Sequence, residues 1–373
     1  MEFDALVAAA CERARSDDFG ADTWQEGLRE LIDSLDREAA LNEIGVGAMN
    51  DQIVGNLVNR LKVEQWYAKH PEIDEQEITA PLFGLGLPRT GSTALSFLLA
   101  QDPARRSLRV WEAGDPTPPP ESATEHTDGR IAVAQAGIDF TNLMFPGFAD
   151  MLPTAADGPQ ECIVVMAWDF RSLMFEGMAS VPSYTEWLLQ CDMRPAYEYH
   201  RRVLKLLQWR CPPSRWWLKS PAHMLSIDAL NAVYPDARFV MTHRDITRVL
   251  ESVCALYATL AGVLTSSFDA HAVGAHNTNV WHIGLQRLLA FRDAGNEYRF
   301  FDLAFHAVQR DPIGEVEKLY DALGDAFSDE ARARMQSWWD AQDRHGAGAY
   351  DTSEFALDRD AISKQFAFYN ERF

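Results

Sequence analysis

A chain of 373 residues, 47% hydrophobic and 24% charged, carries enough apolar material for one large α/β domain or two ordinary ones. Its 55 acidic residues against 34 basic ones give a formal charge of −21, which argues against non-specific nucleic-acid binding and against docking on anionic membranes. The five cysteines form no C-x-x-C pair and no Cys/His cluster, no apolar run approaches the roughly 20 residues of a membrane span, and the acidic start Met-Glu-Phe-Asp has no targeting character, so reduced thiols in a cytoplasmic protein are expected.

Residues 1–80 are acidic and rich in helix formers, with Leu6, Leu28, Leu31, Ile32 and Leu35 at helical spacing. They read as a helical N-terminal region packed on a core formed by residues 81–373. From Pro81 the texture changes: Pro81–Leu87 is a short apolar run ending in turn residues, and Thr93–Ala100 reads as a helix. Two further strand–turn–helix units follow. Trp216–Leu218 leads through Lys-Ser-Pro into a helix over 222–233, and Arg238–Thr242 leads through His-Arg-Asp into a helix over 246–260. A fourth strand is expected at 298–301, before a helix over 311–323 that Gly324 stops. The expected fold class is therefore α/β: a P-loop-like three-layer arrangement, with a central, mainly parallel sheet flanked by helices. Ligands in such folds bind at the carboxyl ends of the strands, where all three turns fall. The proline-rich stretch 114–128 must be irregular. Residues 138–187 gather aromatic and methionine side chains, which are either core or the lining of an acceptor pocket.

Gly86-Leu-Pro-Arg-Thr-Gly-Ser-Thr93 has the glycine spacing of a phosphate loop, whose inward N–H groups and following helix N-terminus hold an anion. A triphosphate-binding loop needs lysine after its second glycine; here that place is Ser92, the positive charge has moved to Arg89, and Thr93 keeps the hydroxyl position. The substitution argues against a metal-assisted kinase or NTPase, the first alternative function, and favours a smaller anion held by amides and one cation. His243-Arg-Asp245 imitates a kinase catalytic loop, but the asparagine such a loop requires is replaced by Leu250.

The string Leu87-Pro-Arg-Thr-Gly-Ser-Thr93 resembles the 5′-phosphosulfate loop of sulfotransferases, in the form of the bacterial and carbohydrate-type branches that carry arginine at Arg89. The resemblance continues through Ser107–Glu112, Trp217–His223 and Pro235–Asp245, and covers about residues 80–325. It implies transfer of a sulfuryl group from 3′-phosphoadenosine-5′-phosphosulfate to a hydroxyl, with 3′,5′-ADP as product and no metal. It places Pro88, Arg89, Thr90, Gly91, Ser92 and Thr93 on the phosphosulfate. Arg244 and Ser252, eight residues apart, take the 3′-phosphate, as a planar guanidinium and a hydroxyl can. Arg89 and Lys219 are the cations for the leaving phosphate.

Two residues compete as general base. His223 lies in the first turn after Ser220-Pro221 and titrates near neutral pH; Glu112 follows the loop and its helix, and Glu161 is a third candidate. Near the chain end, Arg344-His-Gly-Ala-Gly348 is a weaker echo of the family's closing segment, and Trp338 is a candidate for stacking on adenine. The expected acceptor is a hydrophobic hydroxylated small molecule, such as a lipid, steroid, carotenoid or phenol in preference to a sugar. A homo-oligomer stays open. The second alternative function is a non-catalytic nucleotide-binding protein of the same fold.

Overall fold

The computed structural model describes residues 1–212, 215–342 and 353–373. Five short strands, β1 (Leu82–Leu85), β2 (Arg105–Ser107), β3 (Arg215–Lys219), β4 (Arg238–His243) and β5 (Phe300–Ala304), form one parallel sheet in the order β2-β3-β1-β4-β5. β1 pairs with β3 on one side (Gly84 opposite Lys219) and with β4 on the other (Gly84 opposite Val240). The chain winds first to one side of β1 and then to the other. Its carboxyl end is thus the topological switch point, where a crevice opens in folds of this kind.

The central strand β1 and the middles of β3 and β4 are apolar on both faces because helices cover both, as parallel sheets require. Leu82, Trp217, Val240 and Leu303 face one way, onto α4 (Ser92–Leu99) and the helices Pro312–Leu323 and Asp329–Asp340. Phe83, Leu85, Leu218, Phe239 and Met241 face the other way, into the larger core cluster. That cluster is shared with α3 (Glu43–Lys69) and the helices Arg194–Gln208, Ile246–Leu264 and Ala270–Phe291. Phe83 is fully buried at the centre of this layer, so Phe83→Ala would cost about 3–5 kcal/mol.

The N-terminal helices are α1 (Phe3–Ala14), α2 (Trp24–Glu38) and α3. They enter the larger core through Leu28, Leu31, Leu35, Ile53 and Leu57, and a buried ion network ties them down. Arg60 on α3 is 1% exposed and lies 3.0 Å from Asp169, while Arg171 joins Asp169 at 2.8 Å and Glu26 of α2 at 2.7 Å. Asn42 caps α3 through Gly45 N–H and donates its amide to the Val263 carbonyl at 2.9 Å, fixing α3 to the end of Ile246–Leu264. Among the described residues, Ile246–Leu264 is the one helix long and apolar enough to cross a membrane by length and composition; here it packs on α3 and Ala270–Phe291.

The first three expected strands are present; the fourth is shifted from 298–301 to Phe300–Ala304, a helix Phe305–Arg310 that was not expected follows it, and the expected helix runs Pro312–Leu323 with Gly324 in the left-handed region at φ 70°. The stretch after β3 differs from a single helix: a 3-10 segment, Pro221–Ser226, precedes the α-helix Ile227–Val233. Ser220 caps it as expected, accepting from the Ala222 N–H at 3.3 Å with Pro221 at the first position.

Candidate active site

The turn between β1 and α4 has a conformation that its residues only partly favour. Gly86 has φ 110° and Gly91 φ 86°, both natural for glycine, but Arg89 also sits in the left-handed region at φ 61°. A Cβ at Gly86 would lie 3.1 Å from Met241 Cγ and 3.4 Å from the Thr242 carbonyl, so the loop runs close against the end of β4. A non-glycine residue in that region costs about 1–2 kcal/mol and persists where surrounding contacts over-determine it. Those contacts are present. Thr90, 1% exposed, donates to the Leu87 carbonyl at 2.8 Å or meets the Thr242 hydroxyl at 2.6 Å, locking the loop to β4. Pro88, Arg89, Gly91, Ser92 and Thr93 are half-buried and form its open rim.

The side chains expected to bind anions converge on that rim. Arg89 Nε donates to Ser252 Oγ at 2.9 Å, and Arg244 Nη1 donates to the Arg89 carbonyl at 2.9 Å. The Arg244 guanidinium lies 4.4 Å from the centre of the Phe305 ring, just past β5, and the same ring limits the space around Gly91. Arg89 Nη1 also donates to the Met151 carbonyl, which brings the turn Phe148–Met151 over the loop. Ser252 is on the inner face of Ile246–Leu264, two turns along from the end of β4, which explains its spacing from Arg244.

Lys219 ends β3 and is 6% exposed; its Nζ is hydrogen-bonded to Glu161 Oε1. Glu161 stands at the N-cap of the short helix Cys162–Met166, with its side chain 22% exposed. One carboxylate and three cations, Arg89, Arg244 and Lys219, are thus set at the carboxyl ends of β1, β3 and β4 around a half-open glycine loop, an arrangement with the chemistry to grip a polyanion.

Residues 81–329 match the family model described as the Sulfotransferase family. The chain belongs to the sulfotransferase family. It is similar over its whole length to the crystal structure of a sulfotransferase from Mycobacterium avium, with TM-score 0.92, 32% identity and 96% of that chain covered. It is also similar to that of a sulfotransferase from Mycobacterium tuberculosis H37Rv, with TM-score 0.89 and 32% identity over 99% of both chains. No curated protein matches it.

Within this sulfotransferase the two leading candidates for general base lie in closed surroundings. His223 is fully buried. Its Nδ1 is 2.9 Å from the Tyr197 hydroxyl, and its ring meets Phe83 edge-on at 5.1 Å, on the face of the sheet turned toward the larger core. Burial first, and the positive character of neighbouring His200 and Lys219 next, hold its pKa well below the ordinary value, so the ring is neutral. Glu112 is also fully buried. Oε1 accepts from Arg106 Nη2 and, at 2.7 Å, from Arg109 Nη2, while Oε2 accepts from the Arg109 backbone N–H at 3.1 Å. Burial alone would raise this carboxyl; Arg106 and Arg109 outweigh it and hold the pKa below the usual range. Its contacts begin the helix Val110–Gly114 and pin it to β2.

Several partners escaped sequence reasoning: Met151, Thr242 and Phe305 around the loop, and the pairing of Glu161 with Lys219. Thr242 was legible as the last residue of an apolar strand, but Met151 and Phe305 lack any motif. Trp338 is half-buried and stacks on Phe97 of α4 at 5.7 Å with an interplanar angle of 2°. The segment Arg344–Gly348 lies outside the described residues. The aromatic run 138–187 divides in two. Met166, Trp168, Phe170 and Phe175 are core, whereas Phe140 is 63% exposed and Met144, Phe145, Phe148 and Met151 are half-buried.

Proposed function

We propose that this sulfotransferase moves a sulfuryl group from 3′-phosphoadenosine-5′-phosphosulfate to the hydroxyl of a hydrophobic small molecule. The observation that carries the reading is the joined set Arg89, Ser252 and Arg244, linked by hydrogen bonds of 2.9 Å across the ends of β1 and β4. This donor carries anions at both ends, on C5′ and on the 3′ oxygen, and the donor set offers a site for each. The loop amides of Arg89 to Thr93 and the Arg89 guanidinium suit the phosphosulfate, with Pro88 shaping the turn without offering an N–H. Arg244 and Ser252 suit the 3′-phosphate. Ser92 in place of the triphosphate loop's lysine disfavours the kinase alternative.

In the reaction the acceptor oxygen forms a bond to sulfur while the bond from sulfur to the 5′-phosphate oxygen breaks, and the acceptor proton passes to a base. Arg89 and Lys219 stabilise the charge that grows on the leaving phosphate. Glu161 is the base this geometry supports best. It is partly exposed and adjacent to Lys219, whereas Glu112 is saturated by two arginines and His223 is sealed behind the sheet. The half-buried apolar residues Met144, Phe145, Phe148 and Met151, the last of which meets Arg89 through its carbonyl, support a hydrophobic acceptor.

The test has two arms. Calorimetry should show 3′,5′-ADP binding without metal and tighter than Mg-ATP; the reverse order overturns the donor assignment. Incubation with isotopically labelled donor and a panel of alcohols, phenols and sugars, read by mass spectrometry, should give sulfated products from apolar acceptors. Donor binding with no product across the panel would favour a non-catalytic role.

A further inference from the structure

β4 and β5 stay in register to their ends, with Thr242 opposite Leu303 and His243 opposite Ala304. Side chains alternate along a strand, so Val240 and Thr242 share one face of the sheet with Phe301 and Leu303. On that face Val240, Phe301 and Leu303 pack with Leu95, Leu98 and Leu99 of α4. The residues next past the ladder are Arg244 and Phe305, and the alternation carries both toward the start of α4. The two side chains meet there: the Arg244 guanidinium lies over the Phe305 ring, 4.4 Å from its centre. The same ring meets Gly91, the N-cap of α4, where a Cβ would lie 3.0 Å from Phe305 Cδ2 and 3.3 Å from Cε2. Phe305 is half-buried and opens the helix Phe305–Arg310, so its backbone is fixed by the strand before it and the helix after it.

One aromatic side chain thus touches both halves of the anion rim. The bond from Arg244 Nη1 to the Arg89 carbonyl, at 2.9 Å, fixes one corner of the guanidinium. A single corner leaves the plane of the group able to turn about that bond. A ring against the flat face fixes the plane, and it does so without consuming an N–H donor. The plane matters for a phosphate, because the paired N–H bonds that grip two of its oxygens lie in it. An aliphatic side chain of similar bulk would fill the space but has no negative face to offer the cation.

We propose that Phe305 is a positioning residue for the 3′-phosphate site: its ring sets the plane of the Arg244 guanidinium and braces it against the loop at Gly91. The inference rests on the reading of Arg244 as the 3′-phosphate ligand. It also gives Gly91 a second reason to be glycine, since a side chain there would push the ring away from its place under Arg244.

Calorimetry with 3′,5′-ADP and with 5′-AMP, which lacks the 3′-phosphate, separates this role from a merely structural one. Phe305→Leu keeps apolar bulk and removes the ring face. It should weaken 3′,5′-ADP binding roughly threefold to tenfold, the worth of one cation–π contact, and leave 5′-AMP binding unchanged. The donor KM should rise in step while kcat at saturating donor holds. Phe305→Tyr, which restores a ring, should bind both nucleotides as the wild type does. On an Arg244→Ala background, Phe305→Leu should have no further effect on 3′,5′-ADP. Should Phe305→Leu fold poorly, Phe305→Met supplies the same comparison with a more adaptable side chain. Equal loss for both nucleotides, or an unchanged affinity for both, overturns the role of Phe305 and leaves Arg244 in place. A wild-type protein that holds 5′-AMP as tightly as 3′,5′-ADP overturns the reading of Arg244, and the proposal with it.

Discussion

Two glutamates stand near the carboxyl edge of the sheet, and their surroundings could hardly differ more. Around Glu112 every direction is occupied: two guanidiniums and a backbone N–H bind its oxygens, and Arg109 is itself shared with Glu125 at 2.9 Å and Asp157 at 3.5 Å. Around Glu161, among the described residues, the carboxylate has one side-chain partner, Lys219, and the side chain is 22% exposed. A carboxylate with all its lone pairs committed is held in its charged form and serves the fold. One that is partly exposed and paired with a single described cation keeps a side open to a ligand.

The contrast is most sharply tested by exchanging carboxylate for amide at each place. Glu161→Gln should lower kcat by roughly 10²–10⁴, the usual worth of a general base, with 3′,5′-ADP affinity kept within about twofold. A rate close to wild type would return the role to His223 or Glu112. Glu112→Gln should instead destabilise the protein by about 3–5 kcal/mol in urea unfolding, because buried Arg106 loses its counter-charge and Arg109 is left with Glu125 and Asp157 alone among the described carboxylates. A stable Glu112→Gln protein with no activity would reverse the two assignments.

The third test uses pH. His200, whose Nδ1 is 2.8 Å from the Tyr234 hydroxyl, is driven down to about 3 by burial, and His223 is lowered by the same cause. Below about pH 6.5 the unfolded chain protonates these rings while the folded chain does not, so the unfolded state binds more protons and stability falls with pH. The loss should approach roughly 1.4 kcal/mol per pH unit for each ring, measured as a shift of the urea midpoint between pH 7.5 and 5.5. His223→Asn should flatten the slope; a slope unchanged by that substitution would mean that His223 charges in the fold and is open to proton exchange. The smallest effect concerns the anion rim: Ser252→Ala should weaken 3′,5′-ADP by about tenfold, the loss of one hydrogen bond to a charged group. An unchanged affinity would confine Ser252 to holding Arg89.

Much of the framework was legible before any coordinates. β1 and β4 are short apolar runs bounded by turn residues, and the helices after them begin with capping or small residues, so local chemistry sufficed. β2 was not legible. Arg105-Arg-Ser107 has no strand pattern, and its arginines are buried only because Tyr320, Asp325 and Glu112 come from elsewhere to meet them. The glycine spacing of the loop was legible in the sequence itself, while Arg244 and Ser252 entered as candidates through the resemblance to sulfotransferases. The choice among bases did not, because Glu112 and Glu161 are the same residue. Only the count of tertiary partners separates them, and that count depends on Arg106, Arg109 and Lys219 meeting in space. Similarly, a histidine in the first turn after β3 has the right chemistry for a base, but the sheet decides which face it occupies.

The buried hydroxyl pair Thr90 and Thr242, 2.6 Å apart, has one more consequence. It couples the loop after β1 to the strand that carries Arg244, so on the proposed donor assignment the two anion-binding ends are held at a fixed separation. The crevice behaves as a fixed gauge: a ligand with one charged group too few, or with its charges set at another span, engages one end and leaves the other to water. Thr90→Val, which removes the coupling while preserving shape, should loosen that gauge before it loosens the fold.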